Sequence, residues 1–203
     1  MSPIIGGMGR PSKFTEDQFL DAALRLVSAG GPDAATVAAV AEALGAPVGS
    51  VYHRFDSRDL LLAKLWLRTV RRFQSGFLQA LASDDLDEAA LGAALHVNTW
   101  ARGHLDEARA LLLYRREDLA ARWPAELGDE VATVNAAVFD ALRDYASRRY
   151  GSVDPEHVQR VTFAVLDVPY AAGRRHLLAG DAPPALVDDL VAVTCRCVLA
   201  DLD

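Results

Sequence analysis

Apolar residues recur along this 203-residue chain at spacings of three and four, broken at intervals by glycine and proline. That period belongs to helices lying on a core, and the alternation of a half-buried strand is nowhere sustained. The first stripe is Phe19, Ala22, Ala23, Leu26 and Val27, behind Thr15 and Gln18 at the spacing of a capping box. Gly30-Gly31-Pro32 ends it. Thr36 suits the N-cap of a second helix, with Val37, Val40, Ala41 and Leu44 inward, and Gly45 closes it. Pro47 fits the first turn of a third short helix whose inward face is Val51 and Phe55. Ser57 caps a longer helix running through Leu61, Leu65 and Leu67 toward Phe77. Five more helices are expected over roughly 87–101, 104–122, 126–149, 155–179 and 184–199. The expectation is an all-α chain of about nine helices. Residues 1–13 read as a flexible arm, 14–58 as a three-helix helix-turn-helix domain, and 59–203 as a helical bundle.

Composition narrows the function. With 51% apolar and 24% charged residues the chain has the make-up of a globular protein. It has no run of about 18 apolar residues that would span a membrane. No apolar leader with a cleavage site opens it, so a cytoplasmic location is expected. Cys195 and Cys197, two apart on a helix, point to opposite sides and share neither a bridge nor a metal. They read as two small buried hydrophobes, with an intermolecular disulfide as the alternative. The five histidines lack metal-site spacing, and no GxSxG, P-loop or GxGxxG occurs. No catalytic residue, cofactor or metal is expected, and no enzyme.

The two short helices around Gly45 form a helix-turn-helix pattern, in which the second helix enters the major groove of DNA. With Val51 and Phe55 turned inward, Pro47, Val48, Gly49, Ser50, Tyr52 and His53 are left facing out. An outward tyrosine has little value for stability; it has value if its hydroxyl meets a phosphate. Charge gives no help. The net charge is −7, and the first 58 residues carry five basic residues against six acidic ones.

The run from Thr36 through Gly45, Gly49, Tyr52, Phe55 and Ser57 to Leu60 closely resembles the signature of TetR-family transcriptional regulators, and Gly9-Arg10-Pro11-Ser12-Lys13 is similar to their opening arm. The resemblance implies that Thr36, Ser50, Tyr52 and Arg58 meet phosphates, that Pro47, Val48, Gly49 and His53 face base edges, and that Arg10 and Lys13 reach the minor groove or backbone. Pro47 stands where a hydroxyl is common. Val48 stands where a polar or basic residue is frequent, so contact with a thymine methyl would replace a hydrogen bond there. The resemblance further implies a C-terminal domain that binds a small-molecule effector, dimerisation through the last two helices, and a palindromic double-stranded operator. A repressor is the commonest case.

The remaining sequence gives this partial support. Leu186, Leu190, Val193 and Cys197 form one line, with Val187 and Val191 beside it. Such a stripe fits a symmetric dimer contact, or packing on the chain's own bundle. His96, Trp100, His104, Tyr114, Asn135 and Phe139 are the polar and aromatic mixture that a cavity for an apolar ligand would use, although each taken singly fits a core or an interface as well. Pro169 predicts a kink, beside which Asp167 and Tyr170 line the pocket, or Asp167 pairs with Arg174 or Arg175. The competing function is a helical homodimeric interaction or ligand-binding protein whose N-terminal unit no longer reads DNA.

Overall fold

A computed structural model describes residues 14–113 and 127–200, and every described element is helical. The helices are α1 (Glu16–Gly30), α2 (Val37–Leu44), α3 (Val48–Tyr52), α4 (Arg58–Leu81), α5 (Leu86–Gly103) and α6 (Leu105–Leu113). After the undescribed segment come α7 (Gly128–Thr133), α8 (Ala136–Tyr150), α9 (Pro155–Thr162), a π turn (Phe163–Asp167), α10 (Val168–Ala179) and α11 (Leu186–Leu199).

The capping residues act as the sequence predicts. Thr15 and Gln18 bond reciprocally as a capping box, and the Thr36 and Ser57 hydroxyls accept from the amides of Ala39 and Leu60. Gly45 sits at φ 61°, a left-handed conformation that closes α2 without Cβ strain. Other boundaries move. The helix capped by Ser57 continues to Leu81 rather than ending near Phe77. The helix expected over 126–149 is interrupted at Val134–Asn135, giving α7 and α8. The kink expected at Pro169 takes the form of the π turn. Val168 donates to the Phe163 carbonyl, so the helix changes register just before the residue that has no N–H to give.

Apolar burial falls into connected clusters. Phe19, Ala22, Ala23, Val27, Val40, Val51 and Phe55 form the N-terminal core, completed by Leu61, Leu62 and Leu65 of α4 and Ala110 of α6. The core thus extends past residue 58. Phe77 and Leu81 at the other end of α4 join Leu142, Tyr145, Val161, Val165, Val187, Val191, Cys195 and Leu199 in a second core. Val187 and Val191, expected at a dimer contact, are therefore committed to the chain's own bundle, while the neighbouring Leu190 stays exposed. The cysteines also divide. Cys195 is buried, which pushes its thiol up to about 11, whereas Cys197 is exposed, against the expectation that both are buried.

Asn98 of α5 pins the π-turn region. Its buried side chain donates to the Pro169 carbonyl at 3.2 Å, and its Oδ1 lies against Gly173, where a Cβ would overlap it. Gly173→Ala is expected to lower the unfolding midpoint by roughly 2–10 °C, the effect of an overpacked buried contact, as read by circular dichroism.

Candidate nucleic-acid interface

Helix α3 is short, and its position is set from behind. Val51 and Phe55 are fully buried, and the Phe55 ring meets Phe19 edge-on at 6.3 Å with Lys64 Nζ 5.6 Å from its centroid. Burying two such side chains is worth about 1.5–3 kcal/mol each, enough to hold a helix of this length in one orientation. On the other side Pro47, Val48, Gly49, Tyr52 and His53 are exposed, with Tyr52 at 52%, and Ser50 is half-buried. Thr36, one helix earlier, is also exposed. The geometry brings these seven predicted residues onto α3 and the start of α2. Pro47 is the N-cap itself, and no side chain closes the cap.

Arg58 departs from the expected phosphate role. Its Nε donates to the Ala35 carbonyl at 3.0 Å, its Nη2 donates to the Pro32 carbonyl, and Asp33 lies 3.6 Å away. It ties the α1–α2 linker to α4 instead. Arg54 is used in a similar way, donating to the carbonyls of Phe14 and Ser50 and lying 5.4 Å from the Phe19 ring centre. Arg10 and Lys13 lie outside the described residues.

The acidic balance of the N-terminal unit looks different once α4 is in place. Glu16 meets Lys64 at 3.2 Å, Asp17 and Asp21 meet Arg68 at 3.0 and 2.8 Å, and Asp33 meets Arg58. Four of the six acidic residues in the first 58 are thereby ion-paired, three of them by α4 cations that lie beyond residue 58. The same α4 stripe continues with Arg71 to Glu130 of α7 and Arg72 to Glu107 of α6 at 2.7 Å. Glu107 is only 5% exposed, and its hydrogen bond raises the pKa of Arg72. This charged stripe borders a cleft of about 610 Å³ between α1, α4 and α7. None of the residues expected to form a pocket lines it.

Those pocket residues separate into two groups. His96, Trp100 and Asn135 face inward and converge on one point of α4: His96 Nε2 lies 2.9 Å from the Phe73 carbonyl, Trp100 packs 5.5 Å from the Phe73 ring, and Asn135 Oδ1 accepts from Gln74 at 2.9 Å. His104 is exposed and stacks on Trp100 at 5.0 Å. Phe139, Asp167 and Tyr170 are exposed on the outside of their helices, which removes them from an interior pocket. The π turn and the break at Asn135 shift the helical phase on which their inward placement depends. Tyr114 lies outside the described residues. Along α11, Leu186, Leu190, Val193 and Cys197 form an exposed line, bordered at Cys197 by Phe163, a residue that the sequence does not single out.

Among the described residues no cluster of three potential metal ligands occurs, and no helix is long and apolar enough to cross a membrane. The sequence model for bacterial regulatory proteins of the tetR family matches residues 19–65. No curated protein sequence matches the chain. Among solved structures, a bacterial regulatory protein of the tetR family from Rhodococcus RHA1 is similar with a TM-score of 0.71 and 15% identity, over 95% of this chain and 100% of that one. The TetR-family transcriptional regulator PfmR from Thermus thermophilus gives 0.68 and 16%, over 91% and 98%. The fatty acid degradation regulator FadR from Bacillus halodurans gives 0.65 and 16%, over 93% and 100%. At these identities the likeness is one of fold. Regulators of the tetR family are transcription factors, not enzymes.

His96 links this region to pH. Burial lowers its pKa from the ordinary 6.5, against the opposing effect of its bond to the Phe73 carbonyl. The folded state therefore holds it neutral. Its contribution to stability is present above pH 6.5, where the unfolded chain is also neutral, and is lost as pH falls through the lower folded value. Chemical denaturation from pH 7 to 5 should show a stability decline that is shallower in His96→Gln, whose amide still donates to Phe73.

Proposed function

We propose that this chain, a TetR-family DNA-binding regulator by its residues 19–65 and its whole fold, is a homodimeric repressor released from a palindromic operator by a small-molecule effector. The observation that carries this reading is α3, held by two fully buried side chains while Tyr52, His53 and Val48 stand in solvent. Within the family frame Thr36, Ser50 and Tyr52 offer hydroxyls to phosphates, and Pro47, Val48, Gly49 and His53 face base edges. Residues 14–58 read DNA, and 59–203 bind the effector and dimerise. Two copies place their α3 helices in successive major grooves, about 34 Å or slightly more apart.

The exposed line of Leu186, Leu190, Val193 and Cys197, extended by Phe163, is the surface we assign to the partner copy. Three of its leucine and valine side chains are more than half exposed, an apolar face that a second copy would cover. The effector is assigned to the neighbourhood of His96, Trp100 and Asn135. All three act on the adjacent residues Phe73 and Gln74, so a molecule lodged there presses on α4 directly. It releases DNA only to the extent that it binds one setting of α4 more tightly than another.

Gel-shift titration on operator panels tests the DNA reading. Tyr52→Phe and Ser50→Ala should weaken binding on all sequences while leaving the salt slope unchanged, since a neutral hydroxyl displaces no counterion, and His53→Ala changes preference between sites. Unchanged affinity in all three variants would remove α3 from the interface. Leu190→Asp should yield monomers in sedimentation and lose operator binding, because an unpaired carboxylate in the interface costs several kcal/mol.

A further inference from the structure

The exposed side of α3 bears no permanent charge. Pro47, Val48, Gly49, Tyr52 and His53 make it up, and the guanidinium that follows, Arg54, is turned back onto the Phe14 and Ser50 carbonyls and the Phe19 ring. The bidentate arginine–guanine pair, the commonest direct readout, is therefore not available from this segment. What the helix does offer is an aliphatic side chain, Val48, 43% exposed, next to the exposed ring of Pro47.

Gly49 adds a second, independent observation. Its φ is not positive, and a Cβ built there meets nothing within 4 Å. Nothing in the folded chain requires glycine at this position, although glycine weakens a helix relative to alanine. The missing side chain is of use only to something that approaches from outside. A major groove barely admits one helix, and removing a Cβ beside Val48 lets the backbone, and Val48 with it, sit closer to the base edges. Guanine, cytosine and adenine carry no methyl group there. Thymine alone presents a methyl group.

We infer that Val48 reads a thymine through its C5-methyl group, with Gly49 permitting the approach, so that specificity at this base pair is an apolar contact and not a hydrogen bond. This rests on the proposed entry of α3 into the major groove. The contact senses the methyl itself, so a 5-methylcytosine in the same place is preferred to cytosine.

The test uses the full chain and duplexes enriched from a random pool. Each thymine of an enriched operator is replaced by deoxyuridine, which lacks only the methyl. At one thymine per half-site the replacement should weaken binding about fourfold, and about sixteenfold when both half-sites carry it, from the loss of one buried methyl each. In Val48→Ala the same replacement should have a smaller effect, and in the unaltered protein 5-methyl-dC at that place should bind more tightly than dC. Gly49→Ala should keep or raise the unfolding midpoint while weakening binding to every operator. If no duplex is enriched and no salt-dependent binding is seen, the DNA reading itself fails and this inference with it. If an operator is bound but deoxyuridine is tolerated at every thymine, or Val48→Ala suffers the same loss, methyl readout is overturned and the DNA reading stands.

Discussion

The architecture depends on the burial of one helix by several partners. Half of the 24 residues of α4 are buried, and they do not share a single core. Leu61, Leu62 and Leu65 complete the cluster under α3; Leu60, Trp66, Leu67 and Val70 pack with Leu127 and Val131; Phe77 and Leu81 enter the C-terminal core. A helix of this length spans about 36 Å and bends little, so displacement at one end is felt at the other. Because α4 carries apolar anchors in the N-terminal unit and in the bundle, neither can move without repacking the other.

Charge reinforces the same joint. Lys64, Arg68, Arg71 and Arg72 line α4 at helical spacing and reach α1, α6 and α7. Most of these pairs are partly exposed and contribute little to stability, but they fix direction. The pair between Arg72 and the nearly buried Glu107 differs in kind. Losing the arginine would strand a carboxylate away from water, so this link restricts how α6 slides against α4. Ser28 of α1 bonds Asp106 of α6 at 2.5 Å, closing a loop of contacts from α1 to α6 to α4 and back.

Local chemistry makes the N-terminal third legible. Thr15, Thr36, Gly45, Ser57, Val51 and Phe55 each have a role decided within a few residues, by a cap, a left-handed turn or an i, i+4 packing pair, and each takes that role in the fold. What the sequence hides is long-range or depends on phase. Arg58 matches a phosphate contact of the family, yet nothing local reveals that Pro32 and Ala35 turn their carbonyls toward it. A count of six acids against five bases omits Lys64 and Arg68 of α4, which pair three of the acids. A single helical period through 155–179 misplaces Asp167 and Tyr170, since a π turn rotates everything beyond it. In α11 the periodic stripe is real but wider than one surface: Val187 and Val191 face the bundle while Leu186, Leu190 and Val193 face away.

The convergence on Phe73 and Gln74 constrains how the proposed effector could act. Here α4 is already engaged by a histidine, a tryptophan and an asparagine, and Gly76 is occupied from outside by the His96 ring, which a Cβ at that position would overlap. So close a fit leaves little room for gradual deformation, and packed interiors respond by switching between discrete arrangements. Under the proposed function, a molecule entering between α4 and α5 must displace one of these contacts, and His96, whose hydrogen bond to the Phe73 carbonyl joins those helices beside the Trp100 packing, is the one whose loss frees α4 to rotate. The rotation is then transmitted through Leu61 and Leu65 to the core that holds Val51 and Phe55, and so to the orientation of α3.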